Sequence, residues 1–142
     1  MHNQALLLDS SAWITYLRPG CPPSLMKFVQ KNLEDRRVVC TRLICLELLT
    51  GAKDERMYDS LRERMSVLTL LEEDEALWDI SYHLGYDLRR KGITVPTVDV
   101  TIAASAIRHG ARLLHQDRHF DIMARHSQLK IEPFPKETPQ NT

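Results

Sequence analysis

No stretch of this 142-residue sequence approaches the roughly 20 consecutive apolar residues that a membrane-crossing helix needs. Its first residues also lack a basic segment followed by an apolar one, so the expected location is cytoplasmic. A charge of one sign is missing too. Lys and Arg total 19, Asp and Glu total 19, and the net formal charge is zero. That balance excludes a protein whose whole surface grips nucleic acid, although it leaves room for local basic patches. Cys40 and Cys45 have no second pair to complete a zinc site, so the three cysteines read as structural thiols in a reducing compartment. Internal repeats and low-complexity blocks are absent.

What remains is one ordinary domain, with 43% hydrophobic and 27% charged residues. We expect a folded body over residues 1–133 and a loose, Pro-rich and polar tail over 134–142. The hydrophobic patterning alternates between short apolar runs and amphipathic stretches. Strands are expected at Ala5–Leu8, Val38–Thr41, Val67–Leu71, Arg112–His115 and Leu129–Glu132. Helices are expected at Ser11–Leu17, from a Ser24 cap through Leu33, and at Arg42–Thr50, Asp54–Met65, Glu73–Arg90, Val98–His109 and Phe120–Arg125. Strands alternating with helices give an α/β fold, a mainly parallel sheet with helices on both faces.

In such a sheet, ligands bind outside the carboxyl ends of the strands. Asp9 follows the first strand and Asp117 lies two residues past Arg112–His115. Asp99 sits in the first turn of a helix reached through Pro96. Glu47 stands in Leu46-Glu47-Leu48-Leu49, among residue types that are mostly buried. Each acid has a plainer reading. Asp9 and Asp117 can cap helices, and Asp99 is favoured by the helix dipole. Glu47 is harder to explain that way, because a charge among leucines is costly without a partner. A pair of carboxylates about 4 Å apart repels by about 4 kcal/mol at an effective dielectric near 20. A hard divalent cation would neutralise such a group.

The same four positions carry a resemblance. Leu8-Asp9-Ser10-Ser11-Ala12-Trp13, Leu46-Glu47-Leu48-Leu49-Thr50-Gly51, Thr97-Val98-Asp99-Val100-Thr101-Ile102-Ala103-Ala104 and Leu113-Leu114-His115-Gln116-Asp117-Arg118-His119-Phe120 occur in this order. Together they resemble the four motifs of the PIN-domain ribonucleases, and within them the VapC-type toxins of bacterial toxin–antitoxin operons. The resemblance runs from Leu6 to about Pro133. It implies a three-layer sandwich and a metal-dependent endoribonuclease of a type II toxin–antitoxin module. It also implies a homodimer, a VapB-like antitoxin as partner and a structured RNA such as tRNA or rRNA as substrate. Asp9, Glu47, Asp99 and Asp117 would be the acidic quartet around Mg2+ or Mn2+, and Ser11 would support the metal or the scissile phosphate. His115 stands where the family most often has Thr.

The chemistry expected is in-line attack by a metal-activated water on an RNA phosphodiester. Arg18, Arg42, Arg118 and Arg125 are candidate contacts for the RNA backbone, with Arg118 and His115 nearest the last motif. Trp13 and Tyr16 could stack on a base, although packing is the plainer role. His115, His119 and His126 fit no standard zinc spacing and are not expected to bind metal. The run Glu72-Glu73-Asp74-Glu75 reads as a helix start. A haloacid-dehalogenase-type phosphatase would need an Asp at Ser11, and a receiver domain would need a late Lys in a context that Lys130 does not offer. A non-catalytic PIN-like module that binds RNA or protein is the remaining alternative.

Overall fold

The computed structural model describes residues 4–137. Its sheet has five strands: β1 (Leu6–Leu8), β2 (Val38–Cys40), β3 (Thr69–Leu70), β4 (Arg112–Leu114) and β5 (Lys130–Ile131). They are ordered β3-β2-β1-β4-β5, and every neighbouring pair is parallel. The central strands are short apolar runs without alternation, as strands covered on both faces must be. Leu7, Leu8, Leu113 and Leu114 are completely buried. Both edge strands are only two residues long, which leaves little unpaired backbone to recruit another chain.

Among the described residues, seven helices cover the sheet: α1 (Ser10–Leu17), α2 (Pro23–Glu34), α3 (Arg42–Thr50), α4 (Glu55–Ser66), α5 (Glu75–Arg90), α6 (Thr97–His109) and α7 (Arg118–Arg125). Most expected boundaries shift by one or two residues, and several helix starts shift because an acid takes the cap. Asp9 takes the cap of α1 and accepts the Ala12 N–H, so the helix begins at Ser10. Asp117 does the same for α7 through the His119 N–H, so α7 starts ahead of Phe120. Asp74 caps α5 through Leu77, which confirms the acid run as a helix start.

One expected cap does not form. Pro22 precedes α2 and Pro23 opens it, leaving Ser24 inside the first turn. Its backbone N–H and hydroxyl donate to Glu137 at 3.0 and 2.8 Å. Phe134 packs against the core nearby in sequence. Residues 138–142 of the expected tail lie outside the described residues. Helices α5 and α6 are tied by Arg108, whose guanidinium forks onto the Asp74 carboxylate at 2.6–3.2 Å. At the far end of α6, Gly110 takes a left-handed φ of 65° that turns the chain into β4. Among the described residues, no helix is long and apolar enough to cross a membrane.

Candidate metal centre

Because all strands run the same way, their carboxyl ends share one edge of the molecule, and the chain leaves β1 and β4 there side by side. Leu8 pairs with Leu114, and the Asp9 N–H donates to the Leu114 carbonyl at 3.1 Å. Asp9 is buried. Its Oδ1 accepts both the Ser11 hydroxyl at 2.6 Å and the Ala12 N–H at 3.2 Å. Burial pushes its carboxyl above the usual range, and these two hydrogen bonds oppose the shift without cancelling it.

Ser11 is a bridge. While donating to Asp9, its Oγ accepts the Gln116 N–H at 2.9 Å from the loop after β4. Gln116 is also held by the Thr15 hydroxyl. Two residues past β4, Asp117 caps α7 with Oδ1, which accepts the His119 N–H at 2.9 Å. The Asp117 N–H donates to His115 Nδ1 at 2.9 Å, so the His115 proton sits on Nε2, which donates to Asp121 Oδ1 at 3.1 Å. The His115 ring is buried and tilted against Phe120, with centroids 5.3 Å apart.

Asp99 projects from the first turn of α6. His119 Nδ1 lies 3.1 Å from Asp99 Oδ2 and 3.2 Å from Asp117 Oδ1. One ligand atom from each of Asp99, Asp117 and His119 lies within 4.8 Å of the others. Burial and then the Asp117 charge raise the Asp99 carboxyl, and His119 pulls it the other way. Glu47 faces the same region from α3. Partial desolvation raises its carboxyl first, and the charges of Asp99, Asp9 and Asp117 add to that while a hydrogen bond with Ser10 opposes it. All four acids therefore share one electrostatic neighbourhood.

One expectation about a side chain needs correction. Glu47 is not enclosed by its leucines. The residue is exposed, as is Leu46 at 60%, while Ile44 and Leu48, four apart, form the inward face of α3. Trp13 takes the packing role expected of it: it is buried, T-shaped against Tyr16 with ring centroids 5.9 Å apart. Arg118 is exposed at the start of α7, Arg125 is exposed at its end, and Arg42 lies with Arg62 along a groove between α3 and α4. His119 was not expected at the acids. Its only sequence signal is its place two residues after Asp117, which matches no standard ligand spacing because the other partner, Asp99, belongs to a different helix.

Taken as donors, the site offers carboxylate oxygens from three or four chain segments and one imidazole. That set fits a hard divalent cation of the Mg2+ or Mn2+ kind. Comparison with known proteins gives a concordant picture. The family model described as "PIN domain" matches residues 6–126. "VapC ribonuclease Mb1587" of Mycobacterium bovis is 35% identical over 134 residues, covering 91% of this chain and 98% of that protein. "Ribonuclease VapC11" of Mycobacterium tuberculosis matches at the same identity and coverage. Among solved structures, VapBC2 from Rickettsia felis, bound to a DNA fragment from its promoter, superposes with a TM-score of 0.78 at 19% identity. That superposition covers 91% of this chain and 98% of the other.

Proposed function

This chain belongs to the PIN domain family and within it to the VapC ribonucleases, and on that premise we propose that it is a divalent-metal-dependent endoribonuclease, the toxin of a type II toxin–antitoxin module. The observation that carries the reading is the gathering of Asp9, Glu47, Asp99 and Asp117 at the carboxyl edge of the sheet. There each of Asp9, Glu47 and Asp99 is held above the ordinary carboxylate range. Fixed, mutually repelling acids are poor ligands for a phosphate and good ligands for a cation.

In this reading Asp9, Asp99 and Asp117 hold Mg2+ or Mn2+, and Glu47 orients the water that attacks phosphorus. Bound there, the ion supplies charge neutralisation at the non-bridging phosphate oxygens and a more acidic coordinated water. The chain's own work is positional. Ser11 locks Asp9 to the loop that carries Asp117, and His115 anchors the Asp117 backbone. Exposed Arg118, next in the chain to Asp117, would meet the RNA backbone. The relatives named VapBC support a cognate antitoxin as partner. The exposed aromatic face of α5, with Trp78, Tyr82 and Tyr86 at 38%, 68% and 61% exposure, suits a second copy in a homodimer.

The test is incubation of the purified, antitoxin-free chain with total RNA, with and without Mg2+ or Mn2+, beside Asp9→Asn. Cleavage is expected only with metal and only for the unsubstituted protein. Cleavage that survives EDTA or Asp9→Asn would overturn the mechanism. A folded protein that binds RNA or a partner but cuts nothing would instead establish the non-catalytic module.

A further inference from the structure

We propose that His119 is a direct nitrogen ligand of the metal held by Asp99 and Asp117, giving a mixed nitrogen–oxygen centre that prefers Mn2+ to Mg2+. The inference rests on the reading of the acidic cluster as a metal site and deepens it.

The first argument is spacing. Two donors at neighbouring positions of one octahedral ion, each about 2.1 Å from it, lie about 3 Å apart. His119 Nδ1 lies 3.1 Å from one Asp99 oxygen and 3.2 Å from one Asp117 oxygen. All three residues reach a common volume, with one ligand atom of each within 4.8 Å of the others.

The second argument is proton count. Nδ1 carries at most one proton, so as a hydrogen-bond donor it serves one of its two carboxylate neighbours well and leaves the other facing nitrogen. A cation shared among the three donors satisfies both contacts at once. The third is rigidity. The His119 backbone is fixed by its own N–H on Asp117 Oδ1, and Asp117 is fixed in turn by His115. Ligands on a short, capped helix start are held in place before any ion arrives.

Ligand type then predicts the metal. An all-oxygen set suits Mg2+, whereas an imidazole raises affinity along the first-row series and leaves Mg2+, which prefers oxygen and keeps its waters, little improved. The competing role for His119 is a hydrogen bond to Asp99 that never touches the ion. Gln at this position would keep that hydrogen bond.

The experiment is pulsed electron paramagnetic resonance of Mn2+ bound to the purified chain, unlabelled and 15N-histidine-labelled, with calorimetric titration of Mn2+ and Mg2+. The wild-type protein is expected to show nitrogen coupling that changes with 15N-histidine. His119→Gln is expected to lose that coupling and to bind Mn2+ on the order of 10–100-fold more weakly, the range seen when groups supporting a metal site are removed. Its Mg2+ affinity should change little. Mn2+ bound without histidine coupling would overturn the nitrogen ligand and leave the acidic metal site standing. Coupling that persists in His119→Gln would overturn it as well. Failure of both ions to bind the wild-type chain would overturn the metal site and this inference together. A labelled wild-type spectrum without histidine coupling overturns the ligand even if the variant does not fold.

Discussion

His115 Nδ1 accepts the backbone N–H of Asp117 at 2.9 Å, so a buried ring fixes the loop that carries one of the four acids. The family's usual Thr offers a hydroxyl at this place, and the imidazole provides an acceptor in its stead. His115→Ala leaves a part-buried N–H unpaired. The expected loss is about 1–3 kcal/mol of stability in urea unfolding. RNA cleavage should fall about tenfold, which corresponds to about 1.4 kcal/mol of lost positioning. His115→Thr should restore part of both.

Ser11 reaches a residue 105 positions away, since its Oγ accepts the Gln116 N–H while donating to Asp9. Ser11→Ala removes both bonds. The expected stability loss is about 1 kcal/mol. Cleavage should drop with it, and a metal titration by calorimetry should show weaker binding, because Asp9 loses the partner that aims it.

Asp9→Asn separates stability from activity. Asparagine keeps a carbonyl oxygen for the Ser11 hydroxyl and the Ala12 N–H, so the cap of α1 survives. The buried charge disappears. Without metal the variant should resist urea better than the wild type, while cleavage falls on the order of 100-fold or more. Adding Mn2+ should raise the wild-type unfolding midpoint and leave that of the variant nearly still.

Asp74 supplies a pH signature away from the acids. The Arg108 guanidinium, and then the Leu77 N–H, hold its carboxyl down at about 2. An ordinary Asp titrates near about 4, so the unfolded chain takes up this proton first as pH falls. The stabilisation is therefore complete above about pH 4 and gone near about pH 2. Asp74→Asn keeps the cap but not the ion pair. The gap between the urea midpoints of the two proteins should narrow through that window and close at its acid end.

Cys45 should be the most reactive of the three thiols. The Cys40 sulfur 3.6 Å away, with help from Arg42 and Arg62, lowers Cys45 to about 7, while sharing a proton with Cys45 raises the buried Cys40. Brief iodoacetamide treatment near neutral pH, read by peptide mass spectrometry, should label Cys45 ahead of Cys40 and Cys21.

The strand-end acids were legible because a parallel sheet has one ligand-binding edge, so Asp9 and Asp117 could be placed there from local patterning alone. Their hydrogen bonds were not. Ser11 to Gln116 and His119 to Asp99 depend on which strands become neighbours, and apolar triplets such as Leu6–Leu8 say nothing about that order. The exposure of Glu47 is hidden in the sequence for a related reason. A run of leucines reads as buried throughout, yet a helix packed on one side exposes Leu46 and Glu47 while it hides Leu48. A Ser24 cap is pre-empted by Pro22 and Pro23, and the partner of Ser24, Glu137, lies 113 residues away.

The sheet order sets a schedule. Strand β1 is made first but finds its second neighbour only when β4 exists, and Asp117 follows β4. At about 5–20 residues per second, a ribosome needs several seconds to travel from Asp9 to His119. Throughout that interval the emerging chain holds some of the acids without the rest. A message cut or abandoned before codon 117 yields a product that lacks Asp117 and His119, so the cluster of acids at the sheet edge is complete only when nearly all of the chain has been translated.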